Sequence, residues 1–255
     1  MHIGIVPFYT PESIWRSYSP LVRYLNETTA LQWKLKLFNS HNAIINGICS
    51  GEIDIAFLGP VPFGRASTQC GARPLLVAIG KNGKPYYHSV IVTARTSIET
   101  IGDVRGKRFA LYKHSTASYV LPLKMLEDEG IALEEITPVY YTSQDRIVDA
   151  LIRHEADAAG VKESLYEKFK KLNLRKLKIS EPLPNFVFCT APNTGPEIAE
   201  AFSTALLRLK PRSRKADKKI TGEWDEEIRY GFMKPPATFL RDIARIQELD
   251  NRYRQ

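Results

Sequence analysis

The sequence predicts an α/β protein built from two strand–helix bodies, one formed by both chain ends and one inserted between them. Three observations predict it. Short apolar runs alternate with amphipathic runs along almost the whole length, the pattern of β–α units with mostly parallel sheets. The runs fall into three blocks of about 1–86, 87–181 and 182–255, and 255 residues suffice for one large domain or two smaller bodies. A content of 44% hydrophobic and 25% charged residues is ordinary for a globular chain with a real core.

Taken in order, His2–Phe8 reads as a short buried strand. Thr10-Pro11-Glu12 supplies an N-cap, a proline at the first helical position and an acidic first turn. Ile14, Tyr18, Leu21, Val22 and Leu25 form one stripe of the helix that runs on to about Thr29. Trp33–Phe38 alternates as a strand, and Asn42–Ser50 is a helix stopped by Gly51. Asp54–Leu58 is a buried strand ended by Gly59-Pro60. Arg73–Gly80 and Tyr87–Ala94 are strands joined by the turn-rich Lys81–Pro85. Ile101–Gly106 is a short turn or helix, and Arg108–Tyr112 a strand that leads into a helix over Ala117–Glu129, closed by Gly130. Thr137–Tyr141 and Ala156–Val161 are strands; Gln144–Arg153 and Ser164–Leu172 are helices. Phe186–Thr190 is a buried strand, Gly195-Pro196 opens a helix to Leu209, and further helices are expected over Trp224–Arg252. The two crossings between bodies are expected near Tyr86–Ser89 and Ser180–Asn185, which divides the chain into 1–86 plus 182–255 and 87–181.

The net charge of +8 admits nucleic acid, an acidic surface or an anionic ligand as partner. The basic runs Lys168–Lys171, Arg175–Lys178 and Lys210–Lys219 have no interleaved aromatics. They read as solvated faces, not as a nucleic-acid groove. The three cysteines match no metal or redox spacing, and their odd number argues against a disulfide framework. Cys189 sits in an apolar run and reads as core, while a Cys49–Cys70 bridge stays open. No run reaches the ~20 apolar residues of a membrane helix. The chain enters its first strand at Ile3 without a signal peptide. It is therefore expected either in the cytoplasm or behind a removed export or anchor segment.

Ligands of open α/β sheets sit at the carboxyl ends of strands. Here these are the ends near Phe8 and Tyr9, Leu58, Tyr112, Tyr141 and Val161. The most informative segment is the loop after the Arg108–Tyr112 strand, Lys113-His114-Ser115-Thr116-Ala117-Ser118. A helix start offers unpartnered backbone N–H groups and a dipole that favours negative charge, and the hydroxyls add donors. A tetrahedral oxyanion suits such a place; the competing reading is that Ser115 or Thr116 caps its own helix. Gly59-Pro60 ends another buried strand at a second helix start, where an ordinary strand–turn–helix is the alternative. Tyr87 is either a phenol donor at the crossing or a core tyrosine.

Read together, these segments resemble the phosphate/phosphite/phosphonate-binding proteins of ABC importers, the phosphonate-binding branch of the type II periplasmic binding proteins. The resemblance covers Ile3–Phe8, Tyr18–Leu25, Gly51–Pro60, Tyr87–Val92, Ile101–Phe109 and Ser115–Pro122. It implies a two-lobed venus-flytrap fold with two mixed sheets flanked by helices, two hinge strands and a ligand between the lobes. It also implies that Ser115, Thr116, Ala117 and Ser118 hold the oxyanion, with His114 adjacent. Tyr87 is then the hinge phenol, and Tyr9, Gly59 and Pro60 belong to the first lobe's ligand loops. The family's Ser-Thr-Ser-Gly reads Ser-Thr-Ala-Ser here, a tyrosine after the proline reads Phe63, and the histidine of Ser-His-Asp reads Gln144. Glutamine hydrogen-bonds but carries no positive charge.

The expected function is non-catalytic capture of a small anion that favours the closed state, without metal or cofactor. The expected monomer serves a membrane partner, either an ABC permease from the periplasm or the transmembrane module of a receptor such as a histidine kinase. The competing class is a cytoplasmic enzyme on the same fold, like those of the menaquinone pathway, with Glu163, Asp145 or His114 as acid or base. No HExxH, GxSxG or Walker pattern is present.

Overall fold

The computed structural model describes residues 1–253. In chain order its elements are β1 (His2–Ile5), α1 (Pro11–Thr28), β2 (Lys34–Lys36), α2 (His41–Ser50), β3 (Ile55–Leu58), α3 (Pro60–Cys70) and β4 (Arg73–Ala78). After β5 (Tyr86–Tyr87) come β6 (Ser89–Thr93), β7 (Arg108–Leu111), α4 (Leu121–Glu127), β8 (Thr137–Tyr140), α5 (Gln144–Ile152), β9 (Ala158–Lys162), α6 (Glu163–Phe169) and β10 (Arg175–Ile179). The chain returns through β11 (Leu183–Pro184) to β12 (Val187–Thr190), α7 (Pro196–Arg208), α8 (Lys215–Thr221), β13 (Phe232–Met233) and α9 (Phe239–Tyr253).

Two units result, Met1–Tyr86 with Pro184–Ala244, and Tyr87–Leu183 with 245–253. The passages through β5 and β11 pair with each other as a two-stranded sheet. The first unit holds a six-stranded sheet in the order β13-β4-β12-β3-β1-β2, and the second a five-stranded sheet, β10-β6-β9-β7-β8. Both are mixed. In the first, β1 runs parallel to β2 and β3, while β12 is antiparallel to both β3 and β4. In the second, β7 is parallel to β8 and β9, while β6 is antiparallel to β9 and β10. A strand that re-enters a sheet from the opposite direction makes it mixed, so mostly parallel sheets were not the outcome.

Local chemistry accounts for most element ends. Pro11 opens α1 at its first turn, and Ile14, Tyr18, Leu21 and Leu25 form its buried stripe. Gly51 stops α2 with φ +76°, a left-handed conformation that costs a β-carbon-free residue nothing. The first core is aromatic. The Phe57 and Phe188 rings lie 4.6 Å apart, and Phe188 and Phe202 meet edge-on at 4.9 Å. Aliphatic residues dominate the second core, with Ile91, Val161, Ile147 and Leu151 fully buried, as is Phe109. Cys49 and Cys70 form a disulfide that ties α2 to α3, which settles the pairing left open by the sequence. Cys189 is free and buried, and burial pushes its thiol up to about 12.

Four further expectations differ from the structure. Arg175–Ile179 is a strand at the edge of the second sheet, where alternating lysines suit an exposed edge. Residues 224–230 form turns before β13, not a helix, because Trp224 packs edge-on against Tyr24 at 5.6 Å while the Asp225 N–H bonds Ser17 O at 3.1 Å. Residues 245–253 group with the inserted unit instead of the chain-end unit. There the Tyr119 hydroxyl donates to Tyr253 O at 2.9 Å, and Arg252 pairs with Glu127 at 3.0 Å. The helix expected over Ala117–Glu129 is two segments, a π turn at Thr116–Val120 and then α4. Among the described residues, no helix is long and apolar enough to cross a membrane.

Candidate functional site

On the second unit, β7 ends at Leu111 and the chain turns through His114, held at φ +68°. Non-glycine residues in that region are strained and held there by their surroundings. Ser115 N–H donates to Tyr112 O at 3.1 Å, and Ser115 Oγ accepts the Ser118 N–H at 3.2 Å. Ser115 is thus an N-cap, as the plain structural alternative required. Its hydroxyl hydrogen stays available to a ligand, because only the lone pairs are engaged in that bond. Pro122 explains the π turn. Lacking an N–H, it leaves Ser118 O without a helical donor, and the Tyr112 N–H takes that oxygen at 2.9 Å. The wide turn, closed by Val120 N–H to Ser115 O at 3.2 Å, is therefore tied back onto the strand that leads into it.

Ser115, Thr116, Ala117 and Ser118 are all buried, Ser118 completely. Ser118 Oγ makes no hydrogen bond to any described residue. Two neighbouring strands hold the turn from below. Ser89 Oγ donates to Ala117 O at 2.7 Å. A β-carbon on Gly160 of β9 would stand 1.9 Å from Pro122 Cγ and 3.1 Å from Ala117 O, so only glycine admits this close approach.

Directly opposite Ser89 in the sheet stands Lys162, the last residue of β9. Cross-strand partners project from the same face, so Lys162 shares the face that Ser89 presents to the turn. Lys162 is 4% exposed, and its Nζ lies 4.3 Å from the centre of the Tyr87 ring. Its backbone N–H donates to Gln144 Oε1 at 3.2 Å. Gln144, the first residue of α5, is buried beside Ser143, whose hydroxyl donates to the Asp145 carboxylate. Burial pushes the Tyr112 hydroxyl well up, with the Asp145 charge adding to the effect. The structure thus gathers Ser115–Ser118, Gln144 and Tyr87 around one sheet face, with His114 on the loop beside them. Lys162 was missed by sequence reasoning; its only signal is one lysine at the end of the apolar run Ala158-Ala-Gly-Val-Lys162.

Tyr9, Gly59 and Pro60 belong to the first unit. Gly59 caps α3, and a β-carbon there would meet the Phe186 ring at 3.2 Å. Pro60 is buried at the first turn of α3. Phe63 is core, fully buried and 5.6 Å from Phe239, so the phenol lost at that position is replaced by packing. Tyr9 stacks against Phe8 at 4.5 Å. Asp225 and Glu227, both buried, stand near Tyr18, as does Tyr9, and Tyr18 donates to Asp225 Oδ1 at 3.5 Å. Burial first, then these carboxylates, hold the Tyr18 hydroxyl protonated far above its ordinary range. Sequence reasoning missed this acidic pair, which reads as the polar side of an expected helix. No group of three or more metal-ligating side chains occurs among the described residues. Of the acid–base candidates, Asp145 is bound to Ser143, and Glu163 lies 3.7 Å from Lys176.

Comparison with known families places the chain as a whole. A family model described as the periplasmic substrate-binding protein of phosphonate ABC transporters matches residues 3–229. The chain belongs to this family. Within it, the phosphate-import protein PhnD of Mycolicibacterium smegmatis is 21% identical over 222 residues, spanning 79% of this chain and 69% of the relative. Among solved structures, the binding component of an ABC phosphonate transporter from Pseudomonas aeruginosa superposes with a TM-score of 0.85 at 16% identity, covering 100% of this chain and 87% of that one. PhnD1 of Prochlorococcus marinus, solved with methylphosphonate, gives 0.83 at 14% identity, covering 99% and 97%. The fold of this phosphonate-family protein is that of the two-lobed periplasmic binding proteins, with mixed sheets flanked by helices.

Proposed function

We propose that this protein captures a small tetrahedral oxyanion of the phosphonate or phosphate class in the periplasm, acting as a monomer, and delivers it to an ABC permease. The observation that carries the proposal is the buried hydroxyl turn at Ser115–Ser118, anchored from two strands by Ser89 and Gly160. In this reading the Ser115, Thr116 and Ser118 hydroxyls and the Ala117 N–H donate to the anion's oxygens. The positive end of the helical run adds a favourable field. Gln144 and the Tyr87 phenol add neutral donors, and His114 fixes the entry to the turn. No covalent step is involved: fixed donors replace the anion's water shell, and their preorganisation supplies the affinity.

The ligand class draws support from relatives, of which one is a phosphate importer and one was solved with methylphosphonate. A Cys49–Cys70 disulfide suits an oxidising compartment. The basic runs lie on an edge strand and around short helices and loops, where a solvated role needs no nucleic-acid partner. Isothermal titration with phosphate, phosphite, methylphosphonate and small carboxylates tests the reading. Saturable 1:1 binding of a phosphorus oxyanion is the expected result. Binding of carboxylates alone, or of none of these ligands, rejects it.

A further inference from the structure

We infer that the basic knot around α8, on the first unit, docks this protein on an anionic phospholipid surface, independently of the oxyanion site. Lys210–Lys219 carries six exposed cations, Lys210, Arg212, Arg214, Lys215, Lys218 and Lys219, against one carboxylate, Asp217. Six less one leaves five of the chain's net +8 on this run. Asp217 accepts the Lys210 N–H at 2.6 Å and lies 4.0 Å from the Arg214 guanidinium, so its charge is already engaged. A β-carbon on Gly83 would run into the Arg212 guanidinium. The turn that carries the exposed Lys81 and Lys84 therefore abuts the same run. Among the described residues, none of these eight cations pairs with a carboxylate other than Asp217. The other basic runs differ. There Lys170 pairs with Glu167 at 2.6 Å, Lys176 with Glu163 at 3.7 Å, and Lys178 with Glu129. A neutralised face rests in water, whereas an un-neutralised one attracts a polyanion.

Three features select lipid as that polyanion. Ile220 of α8, 42% exposed, sets an apolar side chain at the edge of the cationic face, the combination that interfacial helices carry. No aromatic residue lies in the run to stack a base. The Cys49–Cys70 disulfide suits a compartment outside the cytoplasm, where anionic headgroups and not nucleic acid are the standing polyanion. Held there, the protein stays at the surface in which the proposed permease lies.

Co-sedimentation with vesicles tests the assignment. Phosphatidylcholine vesicles with about 30% phosphatidylglycerol are compared with pure phosphatidylcholine at about 0.1 M salt, where charges act across about 10 Å. Wild type is expected on the anionic vesicles alone, and is expected to leave them at about 1 M salt. Each basic residue near such a surface strengthens binding roughly fivefold. Lys215→Gln, Lys218→Gln and Lys219→Gln together should therefore weaken it roughly a hundredfold. All three side chains are exposed, so the melting temperature of this variant should match wild type. Lys170→Gln, Lys171→Gln and Lys176→Gln together remove the same charge from the other runs and should bind nearly as wild type. Equal loss in both variants makes binding a matter of net charge and overturns the inference. So does a wild type that binds neither vesicle, or both alike. A short DNA duplex that displaces the protein from the vesicles at equal phosphate concentration overturns it too, because the patch then takes any polyanion.

Discussion

Replacing Ser115 with alanine separates two roles that one hydroxyl holds at once. As an acceptor, Ser115 Oγ takes the Ser118 N–H at 3.2 Å, between residues that are 6% and 0% exposed. Alanine leaves that amide buried without its partner. Loss of an N-cap of this kind costs about 1 kcal/mol. For a chain of this size that lowers the melting temperature by roughly 2–4 °C. As a donor, the same hydroxyl gives its hydrogen to the oxyanion in the proposed site. A hydrogen bond to a charged group contributes about 1.5–3 kcal/mol. Its loss raises the Kd for methylphosphonate roughly tenfold to a hundredfold. Differential scanning fluorimetry without ligand reads the first role, and isothermal titration reads the second. A lower melting temperature with an unchanged Kd would show that Ser115 caps its helix and nothing more, which removes it from the site.

Three further outcomes follow from the contacts. Reducing the Cys49–Cys70 bridge, which spans 21 residues, should cost about 3 kcal/mol by chain entropy. A melting temperature unmoved by dithiothreitol contradicts this. Gly160→Ala forces a β-carbon against Pro122 and Ala117 O, so about 1–3 kcal/mol of stability should go, together with part of the oxyanion affinity as the turn shifts. A variant as stable as wild type would show the turn to be loosely held. The hydrogen bonds that Asp157 accepts from Arg108 are the main cause holding its carboxyl down at about 2, with Arg95 also donating. A depressed carboxyl stabilises the fold above its ordinary value near 3.8, and that contribution is lost as pH falls toward about 2. After solvent screening it amounts to about 1 kcal/mol. Asp157→Asn should therefore melt lower at neutral pH and lose less than wild type on acidification; parallel pH curves contradict the assignment.

What the sequence made legible follows short-range physics. Pro11 and Gly51 mark helix ends because fixed or left-handed φ acts within one turn. The alternation of strands and helices gave the α/β class, and the hydroxyl loop at Ser115–Ser118 stood out by composition alone. The misses depend on distant neighbours. Arg175–Ile179 looks like a charge run until β6 lies beside it; its alternation of lysine with leucine and isoleucine is that of a half-covered edge. Trp224–Tyr230 has helical polarity, but its backbone bonds go to α1 and its own turns. Whether Cys49 meets Cys70 depends on α2 lying against α3, which spacing does not encode. Lys162 is an ordinary lysine in the sequence. Its meaning comes from its register with Ser89, a pairing across 73 positions, the difference between 162 and 89. The π turn had a local signal in Pro122, but its consequence, the release of Ser118 O to Tyr112, requires β7 to be in place.

The most direct test is a crystal structure of the protein grown with methylphosphonate. The account predicts phosphonyl oxygens within hydrogen-bond reach of the Ser115 and Thr116 hydroxyls and the Ala117 amide. A ligand bound elsewhere, with that turn facing only solvent or protein, would contradict it.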